Sequence, residues 1–202
     1  MGRSLGEDAS RIHGIASLRA GRIMKIEWPI NSRIDARFSD CKAYRYRLEC
    51  VWDVGNPNGF WLFVMLNPST ADESFSDPTV SRCVNRAMDA GAGGIIVVNL
   101  FALRATDPKE MRAHPKPIEH EDDENDWHIA SAAKRCAKVI LAWGTHGAFR
   151  APGRSFTRDY EVMHLLKGAG MPLYRIGAPT IHGHPKHPLY LRSDARLQEI
   201  TT

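Results

Sequence analysis

The feature that most constrains this chain is an unbroken apolar run that stops at a proline. Phe60-Trp61-Leu62-Phe63-Val64-Met65-Leu66 leads directly into Asn67-Pro68-Ser69-Thr70-Ala71-Asp72. The run has the length of a strand and is too short for an independent helix. It also lacks the alternation of a strand with one wet face, so it reads as a central strand buried on both faces. Pro68 holds Asn67 extended and stops the strand from continuing. Asn67, Ser69, Thr70 and Asp72 are thereby gathered at a strand's carboxyl end, where open α/β sheets bind ligands. Small polar residues also cap turns, and these four alone do not decide between the two roles.

The pattern then repeats. Asp77-Pro78 supplies an N-cap and a first-turn proline, and Val80, Cys83, Val84, Ala87 and Met88 fall on one helical stripe before Gly91. A second apolar strand, residues 94–98, closes in Asn99-Leu100-Phe101. Residues 104–121 are rich in proline and charge and read as a long surface loop. A helix is expected over residues 124–137, with Trp127 on its apolar stripe, and a third strand over 138–143 ending in Gly144-Thr145-His146. A helix over 156–167 and a strand over 172–176 complete the series. Upstream, residues 44–54 alternate apolar and charged side chains and join the central strand through Gly55-Asn56-Pro57-Asn58-Gly59, which predicts an antiparallel hairpin.

Alternating strands and helices imply a parallel sheet with helices on both faces. The expected architecture is a three-layer α/β/α sandwich with a mostly parallel four-stranded sheet and an antiparallel edge strand. It forms one domain over residues 41–202, after an extension over 1–40 that carries Arg3, Arg11, Arg19, Arg22, Arg33 and Arg37. That extension reads either as poorly ordered or as a basic arm along a phosphate backbone.

Composition narrows the function classes. A hydrophobic content of 43% and a charge content of 25% are those of an ordinary globular protein. No apolar run approaches a membrane span and no signal-peptide core is present, so a cytoplasmic location is expected. Cys41, Cys50, Cys83 and Cys136 are scattered without a paired spacing, which offers neither a disulfide framework nor a zinc ribbon. The net charge of +4 permits an anionic partner without demanding one. The chain has no dinucleotide fingerprint, no phosphate-binding loop and no serine-nucleophile elbow. His182, His184 and His187 have a possible metal-ligand spacing, but no carboxylate or cysteine cluster accompanies them, and no metal or cofactor is assigned.

The strand exits carry Asn67-Pro68-Ser69, Asn99 and Thr145-His146, and His184-Pro185 follows the last strand. A parallel sheet brings such exits to one rim. This arrangement resembles the uracil-DNA glycosylase superfamily. The resemblance implies that Asn67 positions a hydrolytic water, that Asn99 reads a base, and that His184 meets charge on the departing base. It also implies that Leu189 and Tyr190 lie on the loop that enters a duplex. Met65 stands where those enzymes usually have glycine, and Lys186-His187 interrupts their usual His-Pro-Ser-Pro run. More closely, Met65-Leu66-Asn67-Pro68-Ser69-Thr70-Ala71-Asp72, Val98-Asn99-Leu100-Phe101-Ala102 and residues 183–191 resemble DUF1643, a bacterial and phage family without an established activity.

The chemistry of base excision gives the remaining candidates their roles. Asn67 orients water but accepts no proton, so Asp72, the nearest carboxylate in sequence, is the candidate base. Phe75 or Phe101 can stack on an extruded base, though core packing suits each as well. Pro68, Ser69, Thr70, His146 and His187 complete the expected substrate surface, with Arg104 and Lys186 on phosphates. The expected function is excision of a modified base from DNA by N-glycosidic hydrolysis. A non-catalytic nucleotide-binding module and an N-glycosidase of free nucleosides are the alternatives.

Overall fold

Strand β1 (Arg33–Phe38) and strand β2 (Arg45–Val51) precede the apolar run, which forms β3 (Phe60–Met65). The computed structural model describes residues 25–120 and 125–200. Residues Trp61 to Met65 of β3 are all buried, and the two faces feed separate cores. Trp61, Phe63 and Met65 face α1 (Pro78–Asp89), where Asp77 Oδ1 accepts the Thr79 and Val80 N–H groups and Val80, Cys83, Val84 and Ala87 are buried. Leu62 and Val64 enter the opposite core. It is closed by Met111 of α2 (Pro108–Ala113), Ile129, Ala132 and Ala133 of α3 (Asn125–Lys134), and Val162 and Leu166 of α4 (Arg158–Gly168). The remaining strands are β4 (Gly94–Asn99), β5 (Lys138–Leu141), β6 (Leu173–Ile176) and β7 (Leu197–Glu199).

The seven strands form one mixed sheet in the order β1-β2-β4-β3-β5-β6-β7. Strands β4, β3, β5 and β6 are parallel, while β1, β2 and β7 join antiparallel. The sheet is therefore larger than the four-plus-one expected. Residues 33–38 fall within the expected arginine-rich extension, yet Arg-Ile-Asp-Ala-Arg-Phe alternates charged and apolar side chains as an edge strand does. Arg3, Arg11, Arg19 and Arg22 lie outside the described residues.

The predicted hairpin does not form. β2 pairs with β4, and β3 lies on the far side of β4. The 52–59 connection crosses the start of β4 at Gly93, whose carbonyl accepts the Trp52 and Asp53 N–H groups. A Cβ at Gly93 would stand 2.2 Å from the Asp53 carbonyl oxygen and 2.5 Å from Asn56 Cβ, so the crossing requires glycine there. β2 is consequently internal to the sheet, and its charged face is not wet. Glu49 is buried, held by Arg135 at 2.6 and 3.1 Å and by Arg47 Nε at 2.8 Å.

Two further expectations change. Residues 108–113, expected within a loop, form α2, because Asp107-Pro108 repeats the capping chemistry of Asp77-Pro78. Trp127 is 61% exposed, because α3 turns Asn125, His128 and Ile129 inward instead.

Candidate active site

From β3 the chain crosses through α1 to β4 on one side, and β4 returns through α2 and α3 to β5 on the other. The carboxyl end of β3 is thus a topological switch point, where diverging connections leave a crevice. A cleft of about 720 Å³ opens there.

Its rim is built around the Asn67 turn. The Phe101 N–H donates to the Leu66 carbonyl and the Ala105 N–H to that of Pro68, each at 2.9 Å. Asn67 Nδ2 donates to the Ala105 carbonyl at 2.7 Å and the Pro68 carbonyl at 3.1 Å. These bonds fix the amide and leave Oδ1 as the polar atom it can offer a ligand. Ser69 stands beside it in the wall.

The opposite wall comes from the exit of β5 and from residues 180–190. Trp143, Gly144, Thr145 and His146 line it, as do Lys186, His187, Leu189 and Tyr190. The Gly144 N–H donates to the Pro185 carbonyl at 2.9 Å, which ties the two segments together. His187 Nδ1 accepts the Leu189 N–H at 3.4 Å, so in the neutral ring Nε2 carries the proton. Burial lowers the pKa of His187 below that of an ordinary imidazole. His146 Nδ1 accepts from Arg112 at 2.8 Å, and its pKa is lowered first by burial and then by that guanidinium. Both rings are neutral donors at pH 7. Tyr190 is 81% exposed at the cleft mouth, its ring centroid 5.8 Å from that of His187.

Other sequence candidates stand elsewhere. Asn99 ends β4 opposite Met65 but is 1% exposed and does not line the cleft. Its amide nitrogen and oxygen have no hydrogen-bond partner among the described residues. His184 faces Asp159, with Nδ1 3.6 Å from a carboxylate oxygen, away from the cleft. Asp72 spends Oδ1 on the Ser74 and Phe75 N–H groups, at 2.9 and 3.1 Å. Phe75 lies under the Lys25 ammonium at 4.7 Å, and Phe101 is core, packed on Phe149 with centroids 5.8 Å apart. Arg104 lies over the Phe38 ring, 5.1 Å from its centroid, outside the cleft. Pro68 and Thr70 support the turn without lining the cavity.

Two residues of the cleft escape a reading of the sequence. Arg45 and Asp77 both line the cleft, although both are buried. Against β1, β2 carries one extra residue, since Arg37 faces Arg47 and Phe38 faces Arg45. The bulge lets Tyr46 stack on His128, with centroids 5.2 Å apart, while Arg45 Nη1 donates to the Ala71 carbonyl at 2.6 Å. Arg45 belongs to the alternating 44–54 segment, whose pattern places its charged side chains on a wet face. Asp77 had looked like a helix cap only, and its Asp-Pro dipeptide gave no sign of the cleft.

The profile of a family described as a protein of unknown function, DUF1643, matches residues 45–189. The chain belongs to the DUF1643 family. No curated protein and no solved structure matches it. The family match begins at Arg45 and ends at Leu189, so it takes in every cleft residue named above except Tyr190, while β1 and β7 fall outside it. Among the described residues no group of three histidine, cysteine, aspartate or glutamate side chains is placed to hold a metal ion, and no helix is long and apolar enough to cross a membrane.

Proposed function

We propose that the cleft hydrolyses an N-glycosidic bond, releasing a base from DNA in the manner of a DNA glycosylase. The observation that carries this reading is the Asn67 amide, clamped by two carbonyls at the switch-point rim of a cleft large enough for a base and its sugar. Asn67-Pro68 is also the part of the chain that resembles the water-positioning motif of the uracil-DNA glycosylases.

In this reading the bond from the sugar carbon to the base nitrogen breaks, leaving positive charge on the sugar and negative charge on the base. Asn67 Oδ1 accepts a hydrogen bond from the attacking water and orients it. Asn67 takes no proton, so a carboxylate must. Asp77 fills that role in place of Asp72, because it lines the cleft and its second oxygen is free of the helix cap. His187 Nε2–H takes the part the resemblance gave to His184, donating to the base as charge develops. Lys186 meets a phosphate, and Leu189 and Tyr190 meet the neighbouring bases.

The test is direct. The purified protein is given DNA with modified and unmodified bases, and free nucleosides, and released base is measured. Release from DNA that falls hundreds-fold in Asn67→Ala supports the reading. Release from free nucleosides alone makes the protein a nucleosidase. No release from any substrate, with binding retained, makes the cleft a binding module.

A further inference from the structure

Arg45 is the most unusual charge in the molecule. It is 1% exposed, yet among the described residues it has no ion-pair partner and one side-chain hydrogen bond, from Nη1 to the Ala71 carbonyl. Nε is buried without a partner. Other buried arginine chemistry in this fold is fully paired: Arg158 is held by Asp126, Glu161 and the Leu100 carbonyl. Burial lowers the pKa of Arg45 to about 10, so it keeps its charge at neutral pH. The strongest acidic influence on it is Asp77, which forms no ion pair with it: Oδ1 is taken by two backbone N–H groups of α1, and Oδ2 faces the cleft lining as the oxygen left free.

An unpaired buried charge is costly, and folds retain one where something supplies the missing partner. Arg45 lines the cleft, so a ligand can supply it. Lys186 on the opposite wall points the same way, since it adds a second positive charge to the cleft lining. With Nη1 committed to Ala71 and Nε closed off, Nη2 is the charged donor left for a ligand oxygen.

We propose that Arg45 is the floor of an anion-binding subsite, and that the ligand of this cleft carries a phosphate or carboxylate that pairs with it. A phosphodiester on the outside of a duplex cannot reach a side chain this deep, so the anion belongs to a small ligand or to a chain end. The proposal goes beyond the glycosidic reading and needs no turnover.

Calorimetric titration of the full chain tests it with inorganic phosphate, a deoxynucleoside 5′-monophosphate, the matching nucleoside and benzoate. The monophosphate should bind at least about tenfold more tightly than the nucleoside, because one charge-assisted hydrogen bond is added to the same base and sugar. Tight benzoate with weak phosphate would identify the anion as a carboxylate. Arg45→Met should erase the preference for the anion, keep nucleoside affinity, and be at least as thermally stable as the parent, since it removes an unpaired buried charge. Arg45→Lys, which keeps the charge and loses the guanidinium, should retain part of the preference and serves if the methionine variant does not fold. Equal affinity for monophosphate, benzoate and nucleoside overturns the proposal, as does a preference that both variants leave untouched. Absent base release with the anion preference intact overturns the glycosidic reading alone.

Discussion

At the scale of single residues, the same side-chain chemistry has different consequences depending on what surrounds it. Asn67 and Asn99 both stand at the ends of parallel strands, but Asn67 is fully engaged through Nδ2, while the side-chain amide of Asn99 has no partner among the described residues. Asn67→Ala should lower base release by about two to four kcal/mol of barrier stabilisation, with ligand affinity nearly unchanged, as kinetics and binding on one preparation would show. Asn67→Asp should instead lose stability, because a carboxylate oxygen would face two carbonyls. Asn99→Leu should be neutral or stabilising in a denaturant titration, since it removes a buried, unsatisfied amide. His187 sets a pH dependence. Its folded pKa lies below 6.5 and its unfolded pKa near that value, so the unfolded state binds more protons as the medium acidifies. Its contribution to stability is full above pH 6.5 and is lost as the pH falls toward its folded pKa. His187→Gln should flatten that part of a stability profile measured by thermal unfolding.

At the scale of elements, local chemistry was legible and pairing was not. The Phe60–Met65 run, the stripe of α1 and the Asp77-Pro78 cap all announce themselves within a few residues. The helix at Pro108 carried the same cap signal and was hidden by the prolines around it. Strand partners depend on side chains far away in sequence, so the hairpin, the edge strands and the bulge at Tyr46 could not be read locally. The candidate site shared this limit. The turn at Asn67 was visible because its signal is contiguous, whereas Arg45 enters the cleft only through a bulge in a strand that had looked half wet. The crossing at Gly93 can be tested. Gly93→Ala should cost about 1–3 kcal/mol in chemical denaturation, because the added carbon meets backbone rather than a movable side chain.

At the scale of the whole molecule, the basic residues outside the described segment set a prediction about DNA. Binding should weaken as salt rises, with a log-log slope of about one unit per phosphate contact, and removal of residues 1–24 should reduce that slope if the arm follows the backbone. A slope unchanged by the truncation assigns the contacts to residues 25–202. The crossing of the 52–59 segment over β4 has a further consequence, in time rather than in space. Val51 pairs with Gly94, so the partner of β2 emerges from the ribosome roughly forty residues after it. At about 5–20 residues per second that is a delay of roughly two to eight seconds. Through the later part of that interval, once β3 has emerged, β2 and β3 are both free, joined by a turn-forming sequence, and can pair with each other in a hairpin absent from the finished protein. β4 must then part them to take its place. Replacing residues 55–59 with a two-residue Asn-Gly turn would favour that early hairpin, so the nascent chain would hold the wrong neighbour more firmly and mature more slowly.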